Sequence, residues 1–100
     1  MLLPSQGGGT TVEGYTLRCG IIPANPSLPD NTNVEIYVNF SSSFKTNCYG
    51  VVLTQSYGNR TDGHESTGNL AVTSFNKNGF TINAGNVELK KPIYYIAFGV

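Results

Sequence analysis

Charge is scarce in this chain: six basic and six acidic residues among 100 sum to zero, and no run of one sign is longer than Lys90-Lys91. A nucleic-acid binder neutralises phosphates with a basic stripe, so that class of partner is not expected. No apolar run approaches the ~20 residues that cross a bilayer, so membrane insertion is not expected either. The opening MLLPSQGGGTT has too short an apolar run, and no charged start, for a signal peptide. Tryptophan is absent, histidine occurs once, at His64, and cysteine twice, at Cys19 and Cys48. Two cysteines cannot build the dense disulfide framework of small secreted scaffolds, and they lack the close pairing of a metal site. They are expected as small buried hydrophobes on strands, with a disulfide between neighbouring strands left open as an alternative. Helical periodicity is missing too, since nowhere does a 3.6-residue period persist over the ~11 residues that identify a helix.

What is present fits strands and turns. One hundred residues make a single domain with one modest core. Hydrophobic content is 39%, below the roughly 45–50% apolar share typical of domains, a tally that also counts Gly, while Gly, Ser, Thr and Asn are abundant. Residues 1–14 are Gly-rich and read as a flexible linker, leaving 15–100 as the folded domain. YTLRCGII, 15–22, alternates Tyr15, Leu17 and Cys19 against the polar Thr16 and Arg18, which predicts a strand. PANPSLPDNTN denies ladder donors and favours turns. VEIYVNF, 34–40, alternates most clearly, with Val34, Ile36, Val38 and Phe40 on one face. CYGVVLTQSY, 48–57, reads as a strand with Gly50 as a bulge or close-approach point. LAVTSF, 70–75, and GFTIN, 79–83, flank NKNG, where the Asn78-Gly79 pair predicts the hairpin turn. IYYIAFGV, 93–100, is apolar on both alternating faces, so it should be covered on both sides. The expected fold is all-β: a small antiparallel β-sandwich of about six strands.

The polar passage YGNRTDGHESTGN, 57–69, gathers the rare ionisable residues. Asp62, His64 and Ser66 hold triad residue types, but neighbours at i, i+2 point apart in extended backbone and no Gly-x-Ser-x-Gly elbow occurs. Asp62 and Glu65 are the only close carboxylates, and so short a chain leaves little room for a glycosidase cleft. Neither catalytic residues nor a cofactor nor a metal is expected, although a single histidine near a three-fold axis would repeat into a three-histidine site. Two readings stay open: an idle solvated loop, or a partner-binding tip. For the second, Tyr57, Asn59, Arg60, Asp62, His64 and Glu65 supply the planar hydrogen-bonding groups and the aromatic face that hold sugars. Six tyrosines add amphipathic rings of the kind that suit subunit contacts, and Tyr37, Tyr94 and Tyr95 are the candidates.

Two stretches carry a family resemblance. Asn76-Lys77-Asn78-Gly79-Phe80-Thr81-Ile82 resembles the T-x-x-G-F-x-V hairpin, and Tyr94-Tyr95-Ile96-Ala97-Phe98-Gly99 the closing Y-W-I-A-I-G strand, of the C-terminal receptor-binding tip domains of bacteriophage tail fibres. Here Tyr95 stands where the pattern has Trp. VEIYVNF resembles the family's first apolar strand. The resemblance implies an H-type-lectin-like sandwich assembled as a homotrimer. It implies a non-enzymatic role in attachment to a bacterial surface glycan such as lipopolysaccharide, in a virion component made in the host cytoplasm. A structural trimerisation cap without receptor contact is the alternative. The family has no fixed ligand residues to carry over, so the site residues come from the loop alone. Residues 1–14 would link to a fibre shaft.

Overall fold

The computed structural model of the chain describes residues 9–55 and 70–100. Seven strands form two antiparallel sheets: β1 (Gly9–Val12), β2 (Tyr15–Ile22), β3 (Asn33–Asn39), β4 (Cys48–Gln55), β5 (Ala71–Asn76), β6 (Gly79–Gly85) and β7 (Ile93–Gly99). One sheet runs β1-β2-β7-β4 and the other β3-β6-β5. A single 3-10 turn, Glu88–Lys90, leads from β6 to β7. The sandwich is the expected one with a strand added. Gly9–Val12, read above as linker, pairs with β2 through a two-residue turn at Glu13 (φ 53°) and Gly14 (φ 84°). Positive φ at both turn residues matches the twist of the strands, and the glycine makes it accessible. A four-residue, Thr-rich strand carries no hydrophobic alternation by which to be recognised.

The core lies between the sheets because each strand turns alternate side chains inward. Ile82, Phe80, Ala84, Ile93 and Ala97 are fully buried, as are Phe44 and Leu89 nearly or fully, from the connections. Rings interlock at the centre, with Phe80 edge-on to Tyr95 at 4.8 Å between centroids and Phe40 edge-on to Phe44 at 5.2 Å. Such offset and edge contacts stabilise by about 0.5–1.5 kcal/mol beyond the area they hide. Tyr95 lies over Gly20 on β2, where a Cβ would sit 2.6 Å from its hydroxyl, so the glycine makes room for the ring.

Two local expectations need correction. In β2 the faces are inverted: Arg18 is buried (8% exposed) and Tyr15 is 45% exposed. The Arg18 guanidinium donates to the carbonyls of Ser42 at 2.7 Å and Ser43 at 3.2 Å, and lies 5.1 Å from the centroid of the Phe44 ring. These carbonyls come from a loop more than twenty positions away, so no local pattern could announce them. The β5–β6 hairpin forms as expected, but its two turn residues are Lys77 and Asn78, and Gly79 already pairs with Asn76. The Asn76 side-chain oxygen accepts from the Asn78 and Gly79 amides at 2.8 and 3.2 Å, which fixes that turn. Gly79 serves close approach instead, since a Cβ there would collide with the Val38 carbonyl oxygen of β3.

Candidate functional site

The passage that carries Tyr57, Asn59, Arg60, Asp62, His64 and Glu65 lies outside the described residues. Its two roots are described. Gln55 ends β4 in one sheet and Leu70 precedes β5 in the other, so these two positions mark the side of the sandwich at which the chain changes sheets. At that side lies a cleft of about 440 Å³ lined by Val51, Leu53, Gln55, Leu70, Ala71 and Val72. Among the described residues, Gln55 is the one polar side chain of this lining.

Chemistry on the described surface divides between the two outward sheet faces. On β3-β6-β5 the outward positions are polar apart from Ala71 and the glycines. Glu35, Tyr37 and Asn39 are exposed on β3, while Val34, Ile36 and Val38 pack on the core. The register sets Tyr37 beside Thr81, and Thr81 beside Ser74. The Tyr37 ring, 52% exposed, leans diagonally so that its hydroxyl lies 3.0 Å from where a Gly79 Cβ would be. An aromatic ring resting on a glycine among hydroxyl and amide groups can present an apolar face and hydrogen-bonding edges together, the combination a sugar ring needs.

The outward face of β2-β7-β4 is the opposite in character. Tyr15, Ile21, Tyr49, Val52, Tyr94 and Ile96 are each between 41% and 56% exposed. Tyr15 stands edge-on to both Tyr49 (6.1 Å) and Phe98 (6.2 Å). Phe98 covers Gly50, beside a break in the β4 register between Cys48 and Gly50, so the expected bulge is present. No charged residue occupies an outward position on these three strands.

The three tyrosines expected at subunit contacts therefore part ways. Tyr94 points outward on the apolar face and Tyr37 outward on the polar one. Tyr95 is 3% exposed and fills the core of its own chain, so its ring is not on the outer surface, as strand alternation after Tyr94 requires. Burial raises the Tyr95 phenol above its ordinary value, with a further contribution from Cys19, and burial likewise raises the Cys48 thiol. Both cysteines are free thiols: Cys48 faces inward and its Sγ donates to the Gly50 carbonyl at 3.6 Å, whereas Cys19 lies beside Ile96 on the outward face. The sequence reading missed Tyr15, Ile21, Val52 and Ile96 as surface residues. The available signal was a second apolar set on β7 and β2, seen in 93–100 and overlooked in 15–22 because Arg18 looked solvated.

Comparison with known proteins places this geometry. No curated protein matches the sequence. Among solved structures, an N-truncated R1-type pyocin tail fibre shares the fold at TM-score 0.59 and 19% identity, over 87% of this chain and 72% of that one. The C-terminal part of the Pseudomonas aeruginosa R1 pyocin fibre gives 0.59 and 19%, and that of the R2 pyocin fibre 0.60 and 18%, each over 87% of this chain. The chain spans only 24% and 21% of those two longer chains. The sequence profile of the C-terminal domain of gp53-like tail fibre proteins matches residues 17–100, which takes in every strand described here except β1 and the start of β2. The chain belongs to the gp53-like C-terminal domain family of tail fibre proteins.

Proposed function

We propose that this domain is the receptor-binding tip of a phage tail fibre or tail-like particle, a non-enzymatic homotrimer that attaches to a bacterial surface glycan such as lipopolysaccharide. The observation that carries the reading is the family match over residues 17–100. Two surfaces supply the chemistry. The passage 57–69 offers Tyr57, Asn59, Arg60, Asp62, His64 and Glu65 to a polar ligand, and the Tyr37 platform offers a ring set among hydroxyls and amides. Repetition in a trimer turns weak sites into avid attachment, which suits reversible scanning of a cell surface.

The test is binding of the purified domain to a panel of host cells and to purified lipopolysaccharide, with light scattering run alongside. Joint substitution of Arg60 and Asp62 by Ala is expected to abolish binding and leave the assembly intact. Unchanged binding would move the site away from 57–69, and a matching assay of Tyr37→Ala then asks whether the platform carries it. Soluble sugar released from the glycan would overturn the non-enzymatic part. A second reading, a structural trimerisation cap with no receptor contact, is favoured by the uncharged outward face of β2-β7-β4. Assembly without binding to any cell would select it.

A further inference from the structure

We infer that the end of the sandwich built by the 40–47 connection and the 77–78 turn is a saccharide-contacting surface, and that the saccharide it takes is anionic. The inference rests on the receptor-binding reading above and names a place and a ligand charge which that reading leaves open. Strand direction selects this end. β1 runs from Gly9, opposite Arg18, toward the turn at Glu13 and Gly14, so the chain enters the sandwich heading that way. The same ends of both sheets meet there: Gly99 pairs with Thr16 and Cys48 in one, and Gly79 with Asn39 and Asn76 in the other. In a fibre tip, the surface ahead of the entering chain is the one that meets a target. Gln55 and Leu70, the roots of 57–69, lie at the opposite end, so the two surfaces can be tested apart.

The 40–47 connection is pinned to its neighbours. The Phe40 and Phe44 amides donate to the Asn78 and Lys77 carbonyls at 2.9 and 2.8 Å, and the Thr46 and Asn47 amides to the Val100 carbonyl at 2.7 and 2.9 Å. Ser43 Oγ donates to the Asn78 side-chain oxygen at 2.8 Å, while the buried Arg18 holds the Ser42 and Ser43 carbonyls from beneath. A loop fixed in advance loses little freedom when a ligand arrives. Ser42, Ser43, Asn47 and Asn78 are exposed on this base and supply hydroxyl and amide groups. Four of the five exposed aromatic rings among the described residues, Tyr15, Tyr37, Tyr49 and Phe75, belong to this half of the molecule. Tyr37 leans toward the turn, with its hydroxyl beside Gly79, so the platform described above continues into this end.

Charge decides the class of saccharide. Lys45 and Lys77 are exposed here, and the Arg18 guanidinium lies under the serines. Of the described acidic side chains only Glu13 shares this end; Asp30, Glu35 and Glu88 lie toward the other. The local field is therefore positive in a chain whose formal net charge is zero, which favours phosphate or carboxylate groups over a neutral sugar.

The experiment uses lipopolysaccharide purified from a cell that the wild-type domain binds, the same material stripped of phosphate, and the same material with its carboxyl groups reduced. Wild-type affinity should fall by about tenfold on one treatment or the other, which identifies the anion. Lys45→Glu/Lys77→Glu should bind the untreated material about tenfold more weakly at low salt and lose most of that difference near 0.5 M salt, where charges are screened over about 4 Å. Lys77→Glu alone should show part of the loss, and Lys90→Glu, an equal charge change at the opposite end, none. The three lysines are exposed and Lys77 anchors Phe44 through its backbone alone, so circular dichroism should be unchanged. The inference is overturned by a double variant with wild-type affinity, by affinity indifferent to both treatments, or by equal losses in Lys77→Glu and Lys90→Glu. Failure of the receptor reading is distinct: a wild type that binds no cell and no lipopolysaccharide ends both, before any substitution is compared.

Discussion

The two sheets share one core yet present opposite surfaces. Outward from β3-β6-β5 stand Glu35, Tyr37, Asn39, Thr81 and Ser74; outward from β2-β7-β4 stand Tyr15, Ile21, Val52, Tyr94 and Ile96. A strand with one wet face alternates polar and apolar, and β3 does so. A strand covered on both sides does not, and β7 carries apolar residues at every position from Ile93 to Phe98. The difference teaches that the second apolar set of a strand is information about what lies outside the chain. Core packing explains Ile93, Tyr95 and Ala97 and leaves Tyr94, Ile96 and Phe98 unaccounted for.

The comparison breaks most severely if the shared core is opened. Phe80→Ala is expected to cost about 3–5 kcal/mol and to remove both surfaces together, as measured by urea unfolding. A loss confined to one face would mean that the sheets are not one cooperative unit. Arg18→Met comes next. It keeps the apolar stem but deletes the donors to Ser42 and Ser43, leaving their carbonyls to find other partners, and should cost about 1.5–3 kcal/mol. If stability is unchanged, Arg18 is not what sets the inward face of β2.

Smaller effects sharpen the contrast between the faces. In the homotrimer proposed above, Ile96→Thr should lower the melting temperature by an amount that shrinks as the protein is diluted, as a residue covered by association does. Tyr37→Thr should change it by an amount independent of concentration and equivalent to no more than about 0.5 kcal/mol, as a surface residue does. Alkaline titration is the mildest probe. The Cys48 thiol and Tyr95 phenol are both raised by burial, so the folded state keeps them neutral where the unfolded chain ionises, from about 9.0 for the thiol and 10.0 for the phenol. Their stabilising contribution is complete below those unfolded values and is lost as pH rises through the folded ones. Melting temperature should therefore fall with pH above about 9, and Cys48→Ala should flatten the first part of that fall. An unchanged slope in the variant would remove Cys48 from the account.

Legibility in the sequence followed the range over which each cause acts. Alternation is local, and it located β3, β4, β6 and β7 with small boundary shifts. The same alternation implied that β7 has a second covered side. Arg18 defeated it, because its carbonyl partners belong to the loop after β3, and a long side chain whose head finds such partners reads as surface until they are seen. The hairpin turn was displaced by one residue because Asn76 captures two amides with its side chain, a contact that dipeptide preference ignores. The candidate residues in 57–69 were chosen by composition, and composition names chemistry without fixing its geometry.

The position of β7 bears on how the domain comes to exist. β2 and β4 do not pair with each other: β4 takes its one ladder from β7, and β2, hydrogen-bonded to β1 along one edge, takes its other ladder from β7, which begins more than seventy positions after β2 starts. During synthesis β4 and the second edge of β2 must wait with backbone donors and apolar side chains unsatisfied until β7 arrives between them. So late a closing contact slows folding and lengthens the exposure of aggregation-prone edges. Yield in a heterologous host should consequently respond to chaperone supply and to lower temperature more than the stability of the finished domain would indicate.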